Sequence, residues 1–527
     1  MFSRFLASLA ALRGFRADLA ALALGALAAA ALPPAHAIPL LLISIPGLLA
    51  LIDGARSTAV AARRGWWFGL GHHVLGLYWI TEAILFEAGR FWWLVPLAVP
   101  AIAAALAVFI ALACAMARLA RGGWPRMLAL AGAWVLMDLA RQFVLTGFPW
   151  NLWGSVWEVP GAIGDVFIQP ASLVGVHGLT LITLILAATP ALGWRWRLGG
   201  AALLVAWATF GIVRLYETTP ASTHLTVALL QGNIAQGQKF DQELAVNIFR
   251  RYIDLAKQAR ADAGDGPLVE IWPETAFPGY LDYDDAARRD IEQATNGAPS
   301  LVGSIRFDAQ RRPRNSLFAL LDGGAMAGVY DKWHLVPFGE YIPDWLPLPI
   351  MVLPGNGFAP GPGPRTLHVP SLPPVGALIC YEAIFSGQIV DQNDRPDWLV
   401  NVTNDAWFGN SSGPRQHLAA ARMRAVEEGL PLFRAANTGI SAAFDARGHE
   451  LGRIGMLETG ILTVTLPSPL PATLYARAGL WLPAMMSTVA LAFGMVPTLF
   501  AAAGWRRPRL FANKVGQKSN LWTWRVF

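Results

Sequence analysis

The sequence predicts two unlike parts: a bundle of eight transmembrane helices, and an α/β domain inserted between the seventh and the eighth. Three observations carry this. Hydrophobic residues make up 54% of the 527 and charged residues only 14%, far from the balance of a soluble chain. Eight apolar stretches approach the ~20 residues that cross a bilayer as helix. Between about 220 and 472 that character stops, and short β-branched runs alternate with charged helical stretches.

The apolar stretches cover 17–32, 36–53, 66–86, 92–117, 124–145, 171–191, 198–215 and 477–503. Basic residues orient them. Arg4, Arg13 and Arg16 precede the first; Arg56, Arg63 and Arg64 follow the second; Arg118, Arg121 and Arg126 follow the fourth. Arg195 and Arg197 follow the sixth, and Arg506, Arg507, Arg509, Lys514 and Lys518 follow the eighth. The alternate loops hold little beyond Arg90, Arg141 and Arg214. Positive charge stays on the cytoplasmic side, so both termini are expected there and the α/β domain outside. The parts expected are residues 1–219 with helices one to seven, 220–472 as the outside domain, and 473–527 as the eighth helix and a basic tail.

The net charge of +6 sits in clusters beside apolar runs, not in one stripe, so it reads as a topology signal and no nucleic-acid partner is expected. The two cysteines, Cys114 and Cys380, lack C-x-x-C or zinc-type spacing, so neither a disulfide framework nor a metal is indicated. A basic start, an apolar run and Ala35-His36-Ala37 resemble a cleaved signal peptide. A second apolar run begins at once, as in a helical hairpin, so the first helix is expected to stay. Within the spans, His72, His73, Asp138 and His177 are ionisable; hydrogen bonding between helices or at the interface, with no metal, is the expected role. Trp150, Trp153 and Trp157, in the outside loop 146–170, are expected in an interfacial aromatic belt.

In the outside domain the strand-like runs are HLTVALLQGN, PLVEIWPE, SLVGSIRF, NSLFALLD, VGALICYE, DWLVNVTND and LFRAANTG, with helices near 241–263, 284–295 and 414–428. Helices layered outside sheets follow from that alternation. One loop, FGEYIPDWLPLPIMVLPGNGFAPGPG from Phe338 to Gly363, is too rich in Pro and Gly for regular structure. It carries Trp345, Leu346, Leu348, Ile350, Met351, Val352 and Leu353. A loop this long and apolar either covers the core or forms a lid touching lipid; the lid is the preferred reading.

Cys380 ends the strand-like VGALIC and precedes YEAIF, read as helical. A thiol there lies near backbone N–H groups and a positive helix end, which lower its pKa. By position alone, such a cysteine is more often a small buried hydrophobe. The partners change the balance. WPETAF places Glu274 past one strand and YDKWHLVPFGEY places Lys332 past another, so the three are expected to converge at one sheet edge. A carboxylate can carry the thiol proton, and an ammonium, with the N–H of Tyr381, can stabilise a tetrahedral oxyanion. His334, beside Lys332, is an alternative base, with a structural role preferred.

These motifs resemble the nitrilase superfamily, whose members use a Glu/Lys/Cys triad on an αββα sandwich. The resemblance is closer to the apolipoprotein N-acyltransferases of Gram-negative inner membranes, through GFPWNLWG at 147–154, QGNI at 231–234, WPETAFP at 272–278, KWHLVPFGEY at 332–341, ICYEAIF at 379–385 and NVTNDAWFG at 401–409. It implies Glu274 as general base, Lys332 as oxyanion stabiliser and Cys380 as nucleophile, with Glu340, Tyr381 and Glu382 in support. Phe240 stands where the family pattern implies a Trp. It keeps an aromatic wall but has no indole N–H. Also implied are an inner-membrane protein with a periplasmic catalytic domain, a phospholipid donor such as phosphatidylethanolamine, a diacylated apolipoprotein acceptor and no cofactor.

Two rival readings remain at this level. A membrane-tethered amidase would use the same triad with water as acceptor, although a soluble substrate requires neither eight spans nor an apolar lid. A transporter or scaffold would leave the converging motifs unexplained.

Overall fold

The structure is a computed structural model describing residues 1–86, 88–217, 222–239, 241, 243–346 and 357–502. Phe240, Leu348, Ile350, Met351, Val352, Leu353 and the basic tail lie outside the described residues.

A helix lies on each of the eight apolar stretches: Gly14–Ala29, Leu41–Asp53, Thr58–Gly76, Val95–Leu119, Trp124–Phe143, Ala171–Ala188, Trp194–Tyr216 and Trp481–Ala502. Four helical segments among the described residues are long and apolar enough to cross a membrane: Trp92–Leu119, Ala171–Ala191, Trp194–Tyr216 and Trp481–Phe500. They expose Leu97, Val108, Leu112, Val205, Val213, Val489 and Phe493, large apolar side chains of the kind that face lipid on a spanning helix.

The third helix departs from the expected 66–86. It starts at Thr58, where the Ser57 hydroxyl accepts from Val60 N at 3.3 Å, because a side-chain cap satisfies the first-turn donors. Arg63 and Arg64 therefore sit inside the helix, not in a loop, and buried Arg64 donates to the Leu12 and Leu51 carbonyls. The helix stops at Gly76, and a separate short one, Ile80–Phe86, comes after the turn at Leu77. A further helix, Phe2–Ala11, packs Leu9 into the bundle. The tryptophans of the 146–170 loop also depart from expectation. Trp153 is buried with its ring tilted against His72 at 4.5 Å, and the indole N–H groups of Trp150 and Trp157 bond Gln416 and Thr183, both at 2.8 Å. Internal hydrogen-bond partners draw these rings inward. Among the ionisable groups of the spans, His177 Nε2 lies 3.0 Å from Gln142 Oε1, and Asp138 accepts from Arg141 at 2.7 Å.

The remaining chain forms twelve strands: β1 Thr226–Gln231, β2 Leu268–Ile271, β3 Ser300–Phe307, β4 Pro313–Leu320, β5 Met326–Asp331, β6 Thr366–Leu367, β7 Val375–Ile379, β8 Trp398–Thr403, β9 Leu432–Ala436, β10 Ser441–Phe444, β11 Glu450–Ile454 and β12 Gly460–Thr465. They make two six-stranded sheets, ordered β12-β1-β2-β3-β4-β5 and β11-β10-β9-β8-β7-β6. Residues alternate between faces along a strand. Val227 and Leu229 therefore enter the core shared by the sheets, while Ala228 and Leu230 meet the helices Ala245–Ala263 and Asp285–Thr295. The helix Gly413–Glu428 covers the second sheet, completing the αββα order. Burial on both faces is why these strands read as continuous apolar runs. Among the strands not expected from the sequence, β6 has two residues, β10 is short and small-residued, β11 is half-exposed and polar, and β12, GILTVT, is β-branched but half-exposed.

The helix Gly413–Glu428 is buried on its far side too, where Met423 and Val426 meet Ile168, Val176, Leu179 and Trp207. Glu427 there accepts from Val176 N at 2.7 Å and from Ser386 Oγ at 2.9 Å. The sandwich is thereby seated on the helical bundle. The C-terminal end of the Phe338–Gly363 loop is tied to β4 and to the residue after β5, Ala359 N donating to Pro313 O and Gly361 N to Lys332 O, both at 2.8 Å.

Candidate active site

Strands β2 and β3 pair in parallel, and the chain reverses at β4 and again at β5, so β2 and β5 end on the same side. Glu274 leaves the end of β2 and Lys332 the end of β5. Strand β3 makes room for Glu274: a Cβ at Gly303 would lie 2.1 Å from Pro273 O and 2.8 Å from Glu274 Cα. Cys380 comes directly after β7 in the other sheet. The three predicted residues thus meet between two facing sheets, not along one edge, because the shared core stacks the sheet ends over each other.

The ion pairs are buried. Lys332 is 1% exposed, with Nζ 3.4 Å from Glu274 Oε1 and 2.9 Å from Glu340. Asn315, on β4, donates to Glu274 Oε1 at 2.7 Å and to Glu340 Oε1 at 3.1 Å. The other Glu274 oxygen accepts from Asn404 N at 2.8 Å, and the other Glu340 oxygen from Val336 N at 2.8 Å. Lys239 Nζ donates to the Glu274 carbonyl at 2.7 Å. Burial opposes charge on Glu274, but the Lys332 and Lys239 ammoniums, with the Asn315 and Asn404 donors, hold its pKa below the ordinary value. Burial likewise opposes charge on Lys332, yet Glu340 and Glu274 raise its pKa. Burial brings the Lys239 pKa down to about 8.

Cys380 is 7% exposed and has φ of 51°, a left-handed conformation that costs a non-glycine residue about 1–3 kcal/mol and concentrates at functional sites. The thiol differs from expectation. Burial pushes it up to about 12, the Glu274 carboxylate adds to the rise, and the Lys332 ammonium opposes it. Cys380 opens a five-residue 3₁₀ turn, Cys380–Ile384, not an α-helix whose end could offset burial. Burial therefore favours the neutral thiol over the thiolate.

The supporting residues divide. Glu340 belongs to the ionic cluster. Glu382 points away and braces the turn: Oε1 accepts from Trp333 N and Oε2 from Ile379 N, both at 2.7 Å, and Tyr330 Oη donates to Oε2 at 2.9 Å. Burial pushes its pKa up to about 7 against the pull of the Ile379 and Trp333 donors. Tyr381 donates through Oη to Gly147 O at 2.9 Å, tying the turn to the 147–154 motif. His334 stacks on Phe385 at 3.6 Å, and its Nε2 lies 3.0 Å from Thr146 O, which gives it a packing role. In Glu382→Gln the new amide N–H faces backbone donors, so a loss of about 1–3 kcal/mol is expected, read as a lowered midpoint in thermal unfolding in detergent.

The sequence reading missed Asn315, Asn404, Lys239 and a buried cluster behind the nucleophile turn. In that cluster His417 Nε2 lies 3.0 Å from Cys380 O, His417 Nδ1 2.9 Å from Asp405 Oδ1, and Arg434 Nη2 2.6 Å from Asp405 Oδ2. Asn404 and Asp405 lie inside the NVTNDAWFG motif; the others carry no local signal.

Comparison with known proteins agrees with both parts. Residues 24–189 match the apolipoprotein N-acyltransferase N-terminal domain, and residues 226–472 match the carbon-nitrogen hydrolase family. The apolipoprotein N-acyltransferase of Rhodopseudomonas palustris is 39% identical over 88% of this chain and 92% of its own length. That of Brucella melitensis is 37% identical over 89% of this chain and 93% of its own. Among solved structures, an amidase from Nesterenkonia sp. is 20% identical over 47% of this chain and 92% of its own, with a TM-score of 0.36. On the strength of the near-full-length matches, the chain belongs to the apolipoprotein N-acyltransferase family.

Proposed function

We propose that this protein transfers a fatty acyl chain from a phospholipid to the N-terminal α-amino group of a diacylated apolipoprotein, through a thioester on Cys380. The observation that carries the reading is the enclosure of one thiol, two carboxylates and two ammoniums between the sheets, on a domain seated on apolar helices. Glu274 takes the Sγ proton as sulfur bonds the ester carbon. A thiol held near 12 facing an acidic carboxylate makes free thiolate scarce, so proton loss accompanies C–S bond formation. Lys332 and the Tyr381 N–H stabilise the tetrahedral oxyanion. Collapse breaks the ester C–O bond, Glu274 returns the proton to the departing oxygen, and a lysophospholipid leaves. The lipoprotein amine then attacks the thioester carbon, Glu274 accepts the amine proton, and the C–S bond breaks as the thiol is reprotonated. Glu340 holds Lys332, and Tyr381 and Glu382 hold the turn.

The same reading places eight spans in the inner membrane, 1–219 carrying seven and 473–527 the last, with both termini cytoplasmic and 220–472 periplasmic. It rests on the alternation of basic residues and the helix on each apolar stretch. Phosphatidylethanolamine as donor rests on the family resemblance, and a lid role for Phe338–Gly363 on exposed Trp345 and Leu346. Intact mass spectrometry after incubation with phosphatidylethanolamine is expected to show one acyl adduct that clears on adding a diacylated peptide and is absent from Cys380→Ser. Turnover of soluble amides without such an adduct would replace the reading with an amidase.

A further inference from the structure

The peptide unit joining Cys380 to Tyr381 is planar, so whatever holds its carbonyl also aims its N–H, the proposed oxyanion donor, in the opposite direction. Its carbonyl faces His417 Nε2 at 3.0 Å. A carbonyl only accepts, so Nε2 carries a proton there in either charge state of the ring. The ring is itself held at Nδ1, which donates to Asp405 Oδ1 at 2.9 Å when the ring is charged and accepts from Arg434 Nη2 at 3.0 Å when it is neutral, and Asp405 also accepts from Thr403 Oγ1 at 3.0 Å. Trp150 and Phe408 close over it at 5.8 and 6.0 Å. His417, Asp405 and Arg434 are all buried, and the left-handed backbone at Cys380 needs such external support.

We propose that His417 is a positioning residue for acyl transfer: its Nε2–H fixes and polarises the Cys380–Tyr381 peptide, so that the Tyr381 N–H is aimed at the developing oxyanion. A hydrogen bond accepted by a peptide carbonyl strengthens the N–H of the same unit as a donor. The proposal rests on Cys380 being the nucleophile. It separates two reactions of one sulfur: acylation by phospholipid passes through an oxyanion, whereas alkylation by iodoacetamide does not.

The experiment compares full-length wild type, H417N, H417Q and H417L in detergent micelles with phosphatidylethanolamine, following the Cys380 adduct by quenched intact mass spectrometry. An Asn amide can keep the Asp405 contact but ends short of the carbonyl; the longer Gln amide can reach it. Acylation in H417N and H417L is expected to slow about 10- to 100-fold, with the phospholipid KM and the iodoacetamide rate each within about twofold of wild type, and H417Q is expected to regain most of the rate. Wild-type acylation rates in both H417N and H417L, an equal fall in alkylation, or H417Q as slow as H417N would overturn the positioning role. A wild-type protein that forms no adduct overturns the nucleophile assignment itself, and this role with it.

Discussion

Glu274→Gln lowers the rate of adduct formation at Cys380 by about 10²–10⁴-fold, the range for loss of a positioned general base. The side chain keeps its size but loses the capacity to take the Sγ proton that the thiol must give up to become a nucleophile. Both Glu274 oxygens accept N–H donors, so an amide leaves one donor facing another and costs about 1–3 kcal/mol of stability besides. Thermal unfolding separates that cost from the rate, and quenched mass spectrometry measures the rate. A variant acylating within about threefold of wild type would remove Glu274 from the base role. The pH profile has a definite sign. Since the folded pKa of Glu274 lies below the ordinary value, the ionised form contributes stability above the unfolded pKa of about 4.3 and that contribution is lost as pH falls through the folded pKa. Acylation is therefore expected to show no titration of this group between about pH 5 and 8.

Lys332→Met destabilises the fold as well as abolishing thioester formation. The ammonium lies 2.9 Å from Glu340 and 3.4 Å from Glu274 at 1% exposure, and its loss leaves two buried carboxylates facing each other. Breaking a buried pair in this way costs about 3–5 kcal/mol. The loss should shrink as pH falls, because protonating one carboxylate removes the repulsion. Adding Glu340→Gln should restore much of the stability and none of the acylation, since the oxyanion still lacks its cation. Unfolding midpoints at two pH values, alongside the adduct assay, test both halves. Equal stability of the single variant and wild type would mean that the cluster is hydrated and weakly coupled.

Much of this arrangement was legible locally. Apolar stretches mark helices because hydrocarbon demands them, and basic clusters mark topology because charge does not cross lipid easily. Glu274, Lys332 and Cys380 each come after a strand-like run, which is where side chains become free of a sheet and available for chemistry. Arg64 misled, since nothing adjacent in sequence says that the Leu12 and Leu51 carbonyls will receive its guanidinium. The indoles of the 146–170 loop misled for the same reason, their partners Gln416 and Thr183 being distant in the chain.

By itself the sequence pointed to a two-part architecture, to αββα layering through its resemblance, and to one thiol, one carboxylate and one ammonium as candidates. Only the tertiary structure decided that they meet between two sheets and that burial favours the neutral thiol. It also decided that Asn315, Asn404 and Lys239 surround Glu274, and that His417 reaches the Cys380 carbonyl. The physical reason is that ionisation depends on solvent exclusion and on charges within a few ångströms. Both are set by which distant segments the shared core brings together, and periodicity along one strand carries no record of that.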